Sequence, residues 1–128
     1  MKIRLNSILV NDQESALDFY TGTLGFQKKT DMPVGEFRWL TVVSPEEPDA
    51  TELVLEPNAN PAAATYQKAL YESGIPPTAF EVNDAEAEYK RLVAAGVEFK
   101  SKPADAGGVI IAVFDDTCGN LIQMYQAP

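Results

Sequence analysis

Glu56 is the side chain whose type and setting most invite chemistry. It closes the apolar run Leu53-Val54-Leu55, and the period-two alternation of a strand puts it on one face with Val54 and Glu52. If that face lines a cavity, burial raises the carboxyl pKa and equips Glu56 to transfer a proton or to hold a cationic ligand. If it does not, Glu56 is a strand-end carboxylate bonded to solvent or to a neighbouring backbone amide. Arg38 and Trp39 are consecutive in another strand-like run, so only one of them can point inward. Arg38 would bring a cation near Glu56, and Trp39 would supply a stacking wall. Gln123 offers both a donor and an acceptor, and Tyr125 shares its face.

Composition narrows what these groups could do. The chain has no histidine, and its single Cys118 has neither a disulfide partner nor an imidazole to activate it, so it reads as a buried structural thiol. Asp115-Asp116, next to Gly119-Asn120, reads as a turn rather than a metal pair. Ten Lys and Arg against nineteen Asp and Glu give a net charge of −9, a field that repels phosphate backbones and anionic membrane surfaces. No nucleic-acid or membrane partner is therefore expected. The same field would draw in a cationic small molecule, or serve solubility alone. The first apolar stretch, Ser7-Ile8-Leu9-Val10, is short and runs into Asn11-Asp12, which suits neither an export signal nor a membrane span; a cytoplasmic protein is expected.

The elements that must position these residues come in two similar sets. Val10-Asn11-Asp12-Gln13-Glu14 recurs as Val82-Asn83-Asp84-Ala85-Glu86, and Leu55-Glu56 recurs as Ile122-Gln123. In the first set, a strand over 3–10 leads to a helix capped by Asn11 or Asp12, with Glu14 as a capping-box partner and Leu17, Tyr20 and Leu24 on one face. Phe19 and Tyr20 belong to the helix-to-sheet core. Gly25 stops that helix, and strands follow over 26–30, 36–43 and 51–56, with turns at Pro33-Val34-Gly35 and Ser44-Pro45-Glu46. The second set has a strand over 78–82, a helix from Asn83 with Tyr89, Leu92 and Val93 inward, a stop at Gly96, and strands over 97–101, 109–114 and 120–125. Its turns fall at Pro103, at Gly107-Gly108 and at Asp115-Asp116-Thr117. The expected organisation is one domain over 1–128: module 1 at about 1–58, a linker helix at about 60–73 started by Asn60-Pro61, and module 2 at about 75–128.

This ordered set resembles the vicinal oxygen chelate superfamily, the glyoxalase, bleomycin-resistance and extradiol-dioxygenase group. The resemblance rests on Leu9-Val10-Asn11-Asp12, Ala16-Leu17-Asp18-Phe19-Tyr20, Leu24-Gly25-Phe26, Glu52-Leu53-Val54-Leu55-Glu56, Phe80-Glu81-Val82-Asn83-Asp84 and the ending Phe114 to Gln123. It implies an α+β fold of two βαβββ modules forming a cupped mixed sheet, commonly in a homodimer. Gln123 would then face Glu56 across the cup, and Tyr125 would stand at its mouth or at a dimer contact.

In metal-dependent relatives the ligand positions correspond to Leu5, Glu56, Pro77 and Gln123. Leu5 and Pro77 carry no donor atom, and one carboxylate with one amide is too few for a divalent cation. Ser7 shares the face of Leu5 but lies about 7 Å further along the strand; Asn6 and Thr78 point the other way. No metal and no cofactor are therefore expected. The resemblance then implies a protein that binds a small organic molecule in its cup through Ser7, Arg38 or Trp39, Glu52, Glu56, Gln123 and Tyr125. The alternative is a lyase, isomerase or dioxygenase that uses Glu56 as a base or within an atypical metal site.

Overall fold

Strand β1 (Leu5–Val10) buries Ile8 and Val10 and exposes Leu5 and Ser7, the alternation of a strand with one face on a core. The computed structural model describes all of residues 1–128, and the chain divides into two compact units, Met1–Gln67 and Lys68–Pro128. After β1 the first unit has α1 (Gln13–Asp18), a π-helical stretch over Phe19–Thr23, then β2 (Gln27–Val34), β3 (Phe37–Val43) and β4 (Glu52–Pro57). The helix α2 (Pro61–Glu72) crosses from one unit into the other. The second unit has β5 (Thr78–Glu81), α3 (Ala85–Ala94), β6 (Phe99–Asp105), β7 (Ile110–Asp115) and β8 (Leu121–Gln126). The sheets run β1-β4-β3-β2 and β5-β8-β7-β6, with β1–β4 and β5–β8 parallel and the other pairs antiparallel. This is the α+β fold of two βαβββ modules read from the sequence, each module forming its own mixed sheet.

The repeated pentapeptide caps a helix in each module, but through its aspartates. Asp12 accepts from the Ser15 amide at 3.1 Å and Asp84 from the Ala87 amide at 2.9 Å, each satisfying an amide the helix leaves unpaired. Asp84 rather than Asn83 is thus the start of α3, and no capping box forms at Glu14, whose carboxylate goes to Arg38 instead. Asn60 accepts from Ala62 and places Pro61 at the first helical position of α2, where a missing amide costs nothing. Gly25 and Gly96 follow the helices with φ of 91° and 90°, a conformation that side-chain-bearing residues resist.

One expected turn begins two residues later and another is strand instead. β2 continues through Pro33 and Val34 to turn at Gly35, and β6 continues through Pro103. Both are edge strands, where proline is tolerated because its missing amide need not face a partner. Pro103 also falls where the β6–β7 register shifts, between Ser101 and Ala104.

In each unit the helix covers one sheet face. In the first, Ile8, Val10, Leu40, Val42 and Leu55 bury with Ala16 and Tyr20; in the second, Ala112, Phe114, Ile122 and Met124 bury with Leu92. Each fully buried Val, Leu, Ile, Phe or Met side chain here contributes roughly 1.5–3 kcal/mol. Tyr89 meets Phe99 edge-on with ring centres 4.7 Å apart. Val93, expected inward, is exposed: α3 turns Leu92 to the sheet and Val93 to the side. The last turn of the second sheet is built on Asp116, which is buried and accepts from the amides of Cys118 and Asn120 at 2.8 and 2.9 Å and from the Asn120 side chain at 2.8 Å. Cys118 is buried within it.

Candidate functional site

The sheet faces turned away from the helices carry most of the residues singled out by sequence. In the first unit the register aligns them in rows. Leu5 lies beside Glu52, Ser7 beside Val54 and Leu9 beside Glu56; Thr41 pairs with both Val54 and Thr30, Trp39 with Met32, and Phe37 with Val34. Paired residues point to the same side, so this face carries Leu5, Ser7, Leu9, Glu52, Glu56, Trp39, Met32, Phe37 and Val34, with Thr41 and Val54 buried among them. Leu5, Met32, Val34, Phe37 and Trp39 are among the large apolar side chains left exposed, Trp39 at 36%. Large apolar side chains and a carboxylate are thus collected on one sheet face.

The open question between Arg38 and Trp39 is answered by two carboxylates. The Arg38 guanidinium is held by Glu14 of α1 and by Asp31 of β2, with Nε to Asp31 Oδ1 at 3.0 Å and Nη2 to Asp31 Oδ2 at 2.7 Å. Glu14 belongs to the helix, so Arg38 lies on the helix side and Trp39, itself 36% exposed, on the opposite side. The bidentate hydrogen bond from Arg38 holds the Asp31 carboxyl well below its ordinary 3.8, at about 2, and the pair raises the guanidinium further above its usual value.

Glu52 is engaged as well: the Thr41 hydroxyl donates to it at 2.8 Å, and the same oxygen accepts from the Thr30 amide at 3.1 Å. Glu56, Ser7 and the Trp39 indole are different. Glu56 is half-buried, and none of the three side chains makes a hydrogen bond or ion pair within the chain. Their polar groups are available to a ligand. In the second unit Gln123 pairs with Ala79 and Val113, and Tyr125 with Glu81 and Ile111, all on the face away from α3. Gln123 and Tyr125 are half-buried; Tyr125 donates a long bond to Glu81 at 3.4 Å, and the Gln123 amide has no partner.

The metal positions of the superfamily do not fit a cation here. Leu5 stands beside Glu52, four residues from Glu56 along the strand. Pro77 precedes β5, and no group of three or more Asp, Glu or Cys side chains converges on a point that could hold a metal ion.

A family model for the "Glyoxalase/Bleomycin resistance protein/Dioxygenase superfamily" matches residues 3–124. The chain belongs to that superfamily. Among relatives of this superfamily member, "Uncharacterized protein YurT" of Bacillus subtilis (strain 168) is 57% identical over 126 residues, covering 98% of this chain and 99% of the relative. Among solved structures, UcmS2 matches with a TM-score of 0.85 at 35% identity, covering 98% of this chain and 97% of that one. TnmS3, described as an antibiotic binding protein from Streptomyces sp. CB03234, matches with a TM-score of 0.80 at 30% identity, covering 100% and 97%.

Sequence reading missed Gln13, Leu9 and Met32. Leu9 and Met32 follow once the register is known, because they flank Glu56 and Trp39. Gln13 had a signal: it is the one position where the repeated pentapeptides differ, Gln13 against Ala85.

Proposed function

We propose that this superfamily member is a binding protein that takes up a small, largely planar organic molecule against the open face of its first sheet, without a metal. The observation that carries the reading is Trp39, one-third exposed beside Met32, on the same face as a Glu56 carboxylate and a Ser7 hydroxyl that have no partner in the protein. An aromatic wall with an apolar neighbour and a free carboxylate suits a flat ligand carrying a cation or a hydrogen-bond donor. The description of the structurally similar TnmS3 as antibiotic-binding supports the ligand class. On the open face of the second sheet, Gln123 and Tyr125 are proposed as ligand contacts of the same polar and aromatic character.

Trp39 is the sole tryptophan of the chain and therefore its own reporter. Adding proflavine, a planar cationic acridine, quenches Trp39 emission with saturation. Trp39→Ala weakens proflavine binding, followed through the dye's own fluorescence, by about tenfold, the scale of one lost aromatic contact. Glu56→Gln weakens it several-fold. Unsaturable, Trp39-independent dye uptake would refute the reading. A second reading, an enzyme with Glu56 as base, draws on the same free carboxylate beside Leu9. It requires that a bound compound change mass on incubation and that Glu56→Gln stop the conversion while still binding.

A further inference from the structure

Strands β3 and β4 pair only at Thr41 with Val54 and at Val42 with Leu53. Continuing that register would set Trp39 opposite Glu56, but the ladder has ended before it reaches them. The space is taken by the side chain of Gln13, which is 9% exposed. Its Oε1 accepts from the Arg38 amide at 3.0 Å, and its Nε2 donates to the Arg38 carbonyl at 2.7 Å and to the Leu55 carbonyl at 2.9 Å. One amide thus replaces the missing ladder, bonding the residue before Trp39 on one strand and the residue before Glu56 on the other. Glu14, next in α1, takes the Arg38 guanidinium.

The second module serves as an internal control. Its β7–β8 ladder is unbroken from Ile110 with Gln126 to Asp115 with Leu121, and the position equivalent to Gln13 is Ala85, which has no side-chain amide to offer. Where the strands stay paired the wedge is absent; where they part it is present. We infer that Gln13 is a positioning residue: it sets the separation of β3 and β4 and with it the spacing of Trp39 and Glu56 on which the proposed binding site depends. The inference rests on the binding reading for its functional consequence, but its structural half is independent of any ligand.

The test is Gln13→Met, which keeps the length of the side chain and removes its hydrogen bonds. In the ligand-free protein the Trp39 indole N–H resonance is expected to shift or broaden, and acrylamide quenching of Trp39 to change by at least about twofold, while Cys118 in the second unit stays unreactive to thiol reagents. Proflavine binding is expected to weaken by about tenfold. If Gln13→Met does not fold, Gln13→Glu assayed from about pH 9 down to about pH 4 decides, because burial against the Arg38 and Leu55 carbonyls raises that carboxyl above the ordinary glutamate value, and its protonation restores a donor and should return the Trp39 signal toward wild type. An unchanged indole resonance and unchanged quenching overturn the inference whatever proflavine does. A changed Trp39 signal in a protein whose wild type never binds proflavine upholds the positioning role and removes the binding reading instead. Failure of both variants to fold shows a folding requirement and overturns it too.

Discussion

The Arg38 guanidinium is held by Glu14 and Asp31, and this decides what its neighbour can do. Because consecutive strand residues face opposite ways, anchoring Arg38 to the helix side commits Trp39 to the open side. The sequence could place the two residues on a strand but could not choose between them, since the choice depends on carboxylates distant in the chain. The Asp31 carboxyl, held at about 2 by the Arg38 hydrogen bond, gives this anchor a pH signature. A carboxyl depressed in the folded state adds stability above its unfolded pKa, and that stability fades as pH falls through the folded value. Melting temperatures of wild type and Asp31→Asn should therefore differ at pH 6 and converge between roughly pH 4 and pH 2. A difference that persists undiminished at pH 2 would mean that Asp31 contributes through packing rather than charge. The site is exposed, so the effect is a modest one.

Elements in this chain are mostly fixed by short-range devices, which is why their order was legible from sequence while their ends were not. Helix starts followed from the repeated Val-Asn-Asp, yet the choice of aspartate over asparagine depends on which side chain the turning backbone aims at the third amide. Asp12→Ala and Asp84→Ala should each cost about 1 kcal/mol in urea unfolding, and Asn11→Ala close to nothing. Equal losses at Asn11 and Asp12 would contradict this assignment of the cap. Proline breaks strands in general, so Pro33 and Pro103 suggest turns in the sequence; edge position overrides the rule, and edge position is a property of the sheet. The turn at Asp116 was legible as a turn but not as a buried one. Its carboxylate serves two backbone amides at once, so Asp116→Ala strands buried donors and should cost about 3 kcal/mol, read as faster labelling of Cys118 by thiol reagents.

At the scale of the whole molecule, the family and the βαβββ duplication were legible because they rest on an ordered set of motifs spread along nearly the whole chain. The partly ended β3–β4 ladder was not, because a split between strands leaves no mark in either strand's own pattern. Net charge is the one global property that sequence states outright, and it yields two opposed expectations: steering of cationic ligands or solubility alone. Screening separates them. With a Debye length near 30 Å at about 0.01 M salt and near 3 Å at about 1 M, a field of −9 acts over the first range and not over the second. If the field steers ligands to the Trp39 face, proflavine affinity and association rate fall several-fold across that range, while those of acridone, a neutral molecule of similar shape, stay level or rise slightly. Parallel salt curves for the two compounds would assign the acidity to solubility and leave recognition to Trp39 and Glu56 alone.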